Sequence, residues 1–219
     1  MMMEIDLLKN YPRTKRDTKA RVEAKTEEVR RIARQFGEAF FDGDRQYGYG
    51  GFHYSARFWQ PVIPDFQAHF QLTAQSKVLD VGCAKGFMLH DMQELIPGID
   101  VNGVDVSDYA IANAYPTVKH KLQQANAMAL PFEDNTFDAV ISVNTVHNLE
   151  QDDCAIALQE IMRVSKGNAF ITVDAYRDDE EKERMYEWNL TAKTIMHVDE
   201  WKAFFRDVGY TGDYYWFMP

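Results

Sequence analysis

Between residues 77 and 174, short β-rich runs alternate with helical stretches, and small residues crowd the first strand-to-helix junction. These two features predict an α/β fold: a doubly wound, mostly parallel sheet with helices on both faces. The length of 219 residues suits one domain with an appendage. Accordingly, residues 1–71 are expected to form amino-terminal helices and an aromatic, glycine-rich lid, and residues 72–219 the core.

The elements follow in order. From Val22, the apolar residues Val29, Ile32, Ala33, Phe36 and Phe40 recur at three- and four-residue steps, which predicts one amphipathic helix ending before Asp42-Gly43-Asp44. The stretch from Tyr47 to Tyr54 combines glycines that bend with aromatics that cover, and reads as a lid reaching from Phe41 to Trp59. Pro61 to Phe70 returns to a helical pattern. Strands are expected at Lys77 to Val81, Val101 to Asp105, weakly at Lys119 to Gln124, at Phe137 to Val143, and at Ala169 to Asp174. Helices are expected over Gly86 to Ile96, from Ser107 through Ala114, and over Asp152 to Val164 with Ile156, Ile161 and Val164 inward. Asp178 to Leu190 and Asp199 to Val208 read as helices, and Asp213 to Met218 as a closing strand whose free edge invites a second copy or a missing strand.

Composition narrows the function classes. With 46% apolar and 26% charged residues, the chain is neither disordered nor a disulfide miniprotein. No apolar run reaches the roughly 20 residues that cross a bilayer. Glu4 and Asp6 interrupt the start of any signal peptide, so a soluble, cytoplasmic protein with no membrane contact is expected. Cys83 and Cys154 sit where a loop and a buried helix face are expected, which argues against a disulfide. The net charge of −10 opposes nucleic acid, although Lys9 to Arg34 carries +6 against −16 for the remainder. A solvated helix face explains that basic run; an anion or RNA contact is the sharper alternative.

Val78-Leu79-Asp80-Val81-Gly82-Cys83-Ala84-Lys85-Gly86 carries the chemistry. Small residues at the carboxyl end of a strand let the backbone approach a ligand. The spacing fails the dinucleotide fingerprint, which would need a small residue where Phe87 stands, and it lacks the Lys-Ser/Thr of a phosphate loop. The segment Asp80 to Gly86 resembles the cofactor loop of class I S-adenosylmethionine-dependent methyltransferases. Other family segments follow in order: Asp105, 19 residues after Gly86, in Gly103-Val104-Asp105-Val106-Ser107; Asn126-Ala127-Met128-Ala129-Leu130-Pro131-Phe132; and Phe137 to Asn144. The resemblance spans about Leu72 to Gly209 and implies a Rossmann-like fold binding S-adenosyl-L-methionine. It assigns Asp80, Gly82, Ala84, Gly86, Asp105, Val106, Asn126, Ala127 and Asn144 to the cofactor, with Asp105 accepting both ribose hydroxyls.

Two departures stand out. Ala84 replaces the family's middle glycine, which a methyl group tolerates where φ is negative. Asn126 replaces an aspartate opposite the adenine amino group, and its carbonyl can still accept that bond. Gly48-Tyr49-Gly50-Gly51 followed by Arg57-Phe58-Trp59 is similar to a segment of the methyltransferase domain of ovothiol-forming enzymes and of related bacterial small-molecule methyltransferases. Ser55-Ala56 departs from the expected Asp-Gly, so the acceptor stays unnamed.

Methyl transfer from a sulfonium is an in-line displacement driven by alignment and exclusion of water. An acceptor that must lose a proton gains from a nearby base. His147, in Asn144-Thr145-Val146-His147-Asn148, and His53, in the lid, are the candidate bases, with Tyr49 beside them. His147 could equally anchor its loop. Tyr49, Tyr54, Arg57, Trp59, His147 and Tyr176 are candidates to enclose the acceptor, against the alternative that they pack the lid. Metal-ligand spacing is lacking, so no metal is expected. Asn144-Thr145-Val146-His147 does not match the motif of adenine-specific DNA methylases.

The expected function is therefore methyl transfer to a nitrogen, or less readily an oxygen, of a small polar metabolite. The alternative is a methyltransferase-fold binding or scaffold protein, or an RNA-directed enzyme, engaging anions through the basic helix. Retention of Gly82, Gly86 and Asp105 favours the enzyme.

Overall fold

The structure, a computed structural model, describes residues 2–12 and 25–219. Part of the basic run, and the start of the first helix at Val22, therefore lie outside the described residues.

Strands β1 (Lys77–Val81), β2 (Asp100–Asp105), β3 (Leu122–Gln124), β4 (Ala139–Val143) and β5 (Ala169–Tyr176) form a parallel sheet in the order β3-β2-β1-β4-β5. The two-residue β6 (Met196–His197) pairs with Ala175 and Tyr176, and β7 (Asp213–Phe217) runs parallel along Phe170 to Asp174 of β5. The winding reverses between β1 and β4, so the ligand crevice of such a sheet lies at the carboxyl ends of these two strands.

Period-two alternation explains the layers. Leu79, Val81, Val140, Ile171 and Val173 pack with α7 (Gln151–Val164) and α9 (Val198–Asp207) in one core. Val78, Ala139, Ile141 and Phe170 turn to the other face, against α4 (Ile63–Phe70) and α5 (Phe87–Leu95). In α7 the buried row is Cys154, Ala157, Leu158, Ile161 and Val164. Ile156, expected inward, is instead 44% exposed, because it lies off that helical row.

The single amino-terminal helix expected from periodicity is two, α1 (Glu27–Ala33) and α2 (Glu38–Phe41). Phe36 takes φ +50 and Gly37 caps α2, while the Phe36 carbonyl accepts the Ser107 hydroxyl, so a tertiary bond holds the break. The short α3 (Ala56–Trp59) lies against α5.

The edge of β7 is not free. Glu4 bridges Tyr214 in parallel, Ile5 N–H donates to the Tyr214 carbonyl at 3.0 Å, and Lys202 pairs with Glu4 at 3.1 Å. Residues 3–5 of the same chain thus occupy the start of the edge expected to call for a second copy, at Tyr214. Among the described residues no helix is long and apolar enough to cross a membrane.

Candidate functional site

The site grows from the turn between β1 and α5. Gly82 and Cys83 donate their N–H groups to the Val104 carbonyl at 2.8 and 3.0 Å, which fastens the turn to β2. Gly82, Ala84 and Gly86 then alternate into the left-handed region at φ +85, +48 and +77. A Cβ on Gly82 would lie 2.1 Å from Thr145 Oγ1, and one on Gly86 would lie 2.7 Å from Leu122 Cδ1, so both positions require glycine. Ala84 corrects the expectation of a negative φ: at φ +48 its methyl group is carried at a conformational cost of about 1–2 kcal/mol.

That cost is met by Asp105. Its Oδ2 accepts the Ala84 N–H at 2.8 Å and its Oδ1 accepts the Ser107 N–H at 2.9 Å. Each carboxylate oxygen can accept more than one bond, so the residue can hold the turn and still receive a ligand hydroxyl. Asp80 is buried beside it; desolvation and the neighbouring Asp105 charge push its carboxyl up to about 8. Two buried carboxylates at one turn favour a ligand that brings positive charge and hydrogen-bond donors.

The remaining cofactor candidates line the same edge. Asp105 registers opposite Gln124, its carbonyl accepts the Ala125 N–H at 2.9 Å and the Gln124 amide donates to the Val106 carbonyl at 3.0 Å, so Val106 leaves β2 at the point where Asn126 and Ala127 leave β3. Val106 is 55% exposed, leaving an apolar surface open at this point. Asn126 Oδ1 accepts the Met128 N–H at 3.0 Å, which fixes its side chain in a turn. Asn144, at φ +53 after β4, is held by Thr172: its N–H donates to Thr172 Oγ1, which donates back to Asn144 Oδ1 at 2.8 Å. The nine cofactor candidates therefore share the carboxyl edge from β1 through β4.

The acceptor candidates do not converge. His147 is buried, and its Nδ1 accepts the Asp174 backbone N–H at 3.0 Å, which places the ring proton on Nε2, 3.6 Å from Asp174 Oδ1. Burial holds its pKa below the usual value. Its carbonyl accepts the N–H groups of Lys193 and Thr194, so it anchors three segments and has no lone pair left for proton abstraction. Tyr176 stands nearby at the end of β5, its ring against His197.

Tyr49 packs on Phe40, Phe41 and Phe52, 44% exposed, and the same cluster reaches Tyr109 on α6 (Asp108–Ala112). His53 is exposed beside Gly51. Tyr54 belongs elsewhere: its hydroxyl donates to Asp91 of α5 at 2.6 Å. Arg57 is exposed over the Phe58 ring, and Trp59 packs against Tyr11. The expected cage of Tyr49, Tyr54, Arg57 and Trp59 is therefore dispersed, because the chain beyond Phe52 leaves the carboxyl edge and follows α5.

What crosses the edge is α1. At one end the Lys25 ammonium donates to the Glu187 carbonyl and, at 2.6 Å, to the Trp188 carbonyl at the end of α8 (Asp179–Trp188). Arg34 Nε donates to the Thr191 carbonyl at 3.3 Å, and Phe36 is tied to Ser107 beyond β2. The helix is thus tied at both ends to residues 187–191 beyond β5, and Phe36 just past it reaches Ser107 beyond β2, three strand spacings of roughly 5 Å away.

Sequence reasoning missed Asp42, Lys85 and Tyr109. The Lys85 ammonium, on a side chain 7% exposed, donates to Asp42 Oδ2 at 2.6 Å and to the Phe52 carbonyl at 3.0 Å. Tyr109 donates to the same Asp42 oxygen at 2.7 Å. Lys85 lies inside the quoted motif, but its partner, forty-three positions upstream, reads as a helix stop.

A family model described as a methyltransferase domain matches residues 78–168. The chain is 34% identical over 131 residues to a demethylmenaquinone methyltransferase of Symbiobacterium thermophilum, covering 55% of this chain and 51% of that one. It is 32% identical over 132 residues to a 2-methyl-6-phytyl-1,4-hydroquinone methyltransferase of Synechocystis, covering 57% and 39%. This chain spans about half the length of the curated relatives it matches. Among solved structures, the YcgJ protein from Bacillus subtilis superposes with a TM-score of 0.55 at 21% identity, over 67% of this chain and 66% of that one, which is a likeness of fold.

Proposed function

We propose that this chain, whose residues 78–168 match a methyltransferase-domain family model, works as a class I S-adenosylmethionine-dependent enzyme and transfers a methyl group to a nitrogen of a small polar metabolite. The observation that carries the reading is the turn from Gly82 to Gly86 braced by Asp105. Gly82 and Gly86 leave space at the turn, Asp105 supplies an acceptor for ribose hydroxyls, and the Asp80 carboxyl, raised to about 8 in the ligand-free protein, would ionise more readily beside a bound cation. These residues fit S-adenosyl-L-methionine, which when bound supplies an electrophilic methyl group on a sulfonium.

The chain contributes position and exclusion of water. Val106, Asn126 and Ala127 offer an apolar face with one carbonyl acceptor for the adenine end, and Asn144 lies where β4 closes on Gly82 through Thr145. Overhead, α1 shields the edge, which favours displacement at a charged centre. Nitrogen is favoured over oxygen because His147 has committed its lone pair to Asp174. A neutral amine attacks with its own lone pair and gives up its proton to water afterwards, whereas a hydroxyl needs a base as it attacks. The relatives named above act on other acceptors by their names, so the small polar metabolite rests on the polar residues Asn144, Thr145, Asp174 and Tyr176 at this end of the sheet.

The test is transfer of isotope-labelled methyl groups from S-adenosyl-L-methionine across a panel of amines, hydroxy acids, quinols and RNA. Label entering an amine supports the reading. Label entering only RNA would favour the basic amino-terminal run as the acceptor surface. In parallel, Asp105→Ala should weaken cofactor binding by about 2 kcal/mol, roughly thirtyfold. A loss of threefold or less would mean that another residue holds the ribose.

A further inference from the structure

A lysine inside a turn built for a sulfonium is a problem of charge. Lys85 lies between Ala84 and Gly86, and its side chain is 7% exposed, so its positive charge is poorly screened by water. Asp42 answers that charge from outside the core. Its Oδ2 receives the Lys85 ammonium at 2.6 Å and the Tyr109 hydroxyl at 2.7 Å, and its Oδ1 receives the Phe52 N–H at 3.0 Å. These donors hold the Asp42 carboxyl down at about 2, so it is ionised throughout the working range.

The pair also has a defined place. Asp42 and Phe52 are the two ends of the loop that carries Tyr49, and Lys85 clamps both, through the Asp42 carboxylate and the Phe52 carbonyl. A buried ion pair is weak evidence for stability, since apolar residues of like volume often serve as well. Its value here lies in what the turn presents to its ligand.

We infer that Asp42 is a positioning and specificity residue: it neutralises Lys85, so that the cofactor turn does not repel the sulfonium, and it joins the amino-terminal wall to that turn. The inference rests on the proposed binding of S-adenosyl-L-methionine. It goes beyond that reading by separating the charged donor from its demethylated product, S-adenosylhomocysteine, which differs at the sulfur by one methyl group and one positive charge. Without Asp42, the Lys85 charge should act on the first ligand and spare the second.

Calorimetry of both ligands at pH 7.5 tests this in the unmodified protein, Asp42→Asn, and Asp42→Asn combined with Lys85→Met. The asparagine variant should lose affinity for S-adenosyl-L-methionine about three- to tenfold more than for S-adenosylhomocysteine, the range expected of one charge acting through partly screened protein. The double variant should restore the original ratio, which a purely structural role would not do. Should Asp42→Asn fail to fold, Lys85→Met decides: the carboxylate left behind should shift the ratio in favour of the sulfonium. Equal losses for both ligands in the variants that fold would overturn the inference. If the unmodified protein bound neither ligand, the proposed function itself would fail, which is a separate outcome.

Discussion

His147 and Asp174 meet through the backbone: the ring Nδ1 accepts the Asp174 N–H at 3.0 Å, and the opposite nitrogen faces Asp174 Oδ1 at 3.6 Å. The indole of Trp201 donates to the Asp174 carbonyl at 2.9 Å, so both sides of this β5 residue are fixed. The geometry makes His147 a support of the carboxyl edge, and it explains why the loop after β4 and the segment before β6 stay together.

His147→Ala should therefore destabilise the fold by about 1–3 kcal/mol, because it leaves the Asp174 N–H buried without a partner. The pH dependence carries a sign. Burial lowers the folded-state pKa below 6.5, so the unfolded chain binds more protons and stability falls as pH drops below about 6.5. Thermal melts from pH 7.5 to 5 should show this slope flattened in the variant. A pH profile of kcat/KM that lost a limb in His147→Asn, with melting unchanged, would instead make the ring a base.

Asp80 gives the opposite slope. Its carboxyl is raised from 3.8 to about 8, so the folded state binds more protons between these values and stability declines as pH rises through that window. Asp80→Asn should raise the melting temperature of the ligand-free protein at pH 8 and weaken cofactor binding, since the counter-charge is gone. Melting curves and calorimetry on the same samples check both halves. A variant that melts lower and binds normally would remove Asp80 from the site.

Ala84 and Gly82 make a matched pair, both at positive φ. Ala84→Gly should stabilise the protein by about 0.5–1 kcal/mol, raising the melting temperature by roughly 1–4 °C, because relief of the left-handed strain exceeds the added chain entropy. Gly82→Ala should fail by contrast, with its new methyl group 2.1 Å from Thr145 Oγ1. Chemical denaturation measures both.

Much of this edge was legible in the sequence because strand ends and glycines are local signals. The positions of Asp80, Gly82, Gly86 and Asp105 follow from one short motif and one strand length. The break at Phe36 was not legible, since the periodicity runs on through Phe40 and only the distant Ser107 hydroxyl favours the kink. Neither was the divergence of Tyr49 from Tyr54: five residues apart, they face different helices, and aromatic composition carries no direction. The Asp42 partnership with Lys85 joins two local features that each had an ordinary reading, a helix stop and a loop lysine.

Tyr54 decides between acceptor binding and packing. Its hydroxyl donates to Asp91 Oδ1 at 2.6 Å, Gln60 donates to the same oxygen at 3.2 Å, and Asp91 Oδ2 is buried without a hydrogen-bond partner. Desolvation and the Asp91 carboxylate push the tyrosine up to about 12, so it remains a donor at any working pH. Tyr54→Phe leaves a fully buried carboxylate with one long bond from Gln60, and loss of a hydrogen bond to a charged group costs about 1.5–3 kcal/mol. The variant should melt several degrees lower and keep its KM for the acceptor. Tyr54→Phe combined with Asp91→Leu should recover much of the loss, because both partners are then apolar. A KM raised tenfold or more with unchanged melting would place the Tyr54 hydroxyl on the acceptor and return it to the cage from which the structure removes it.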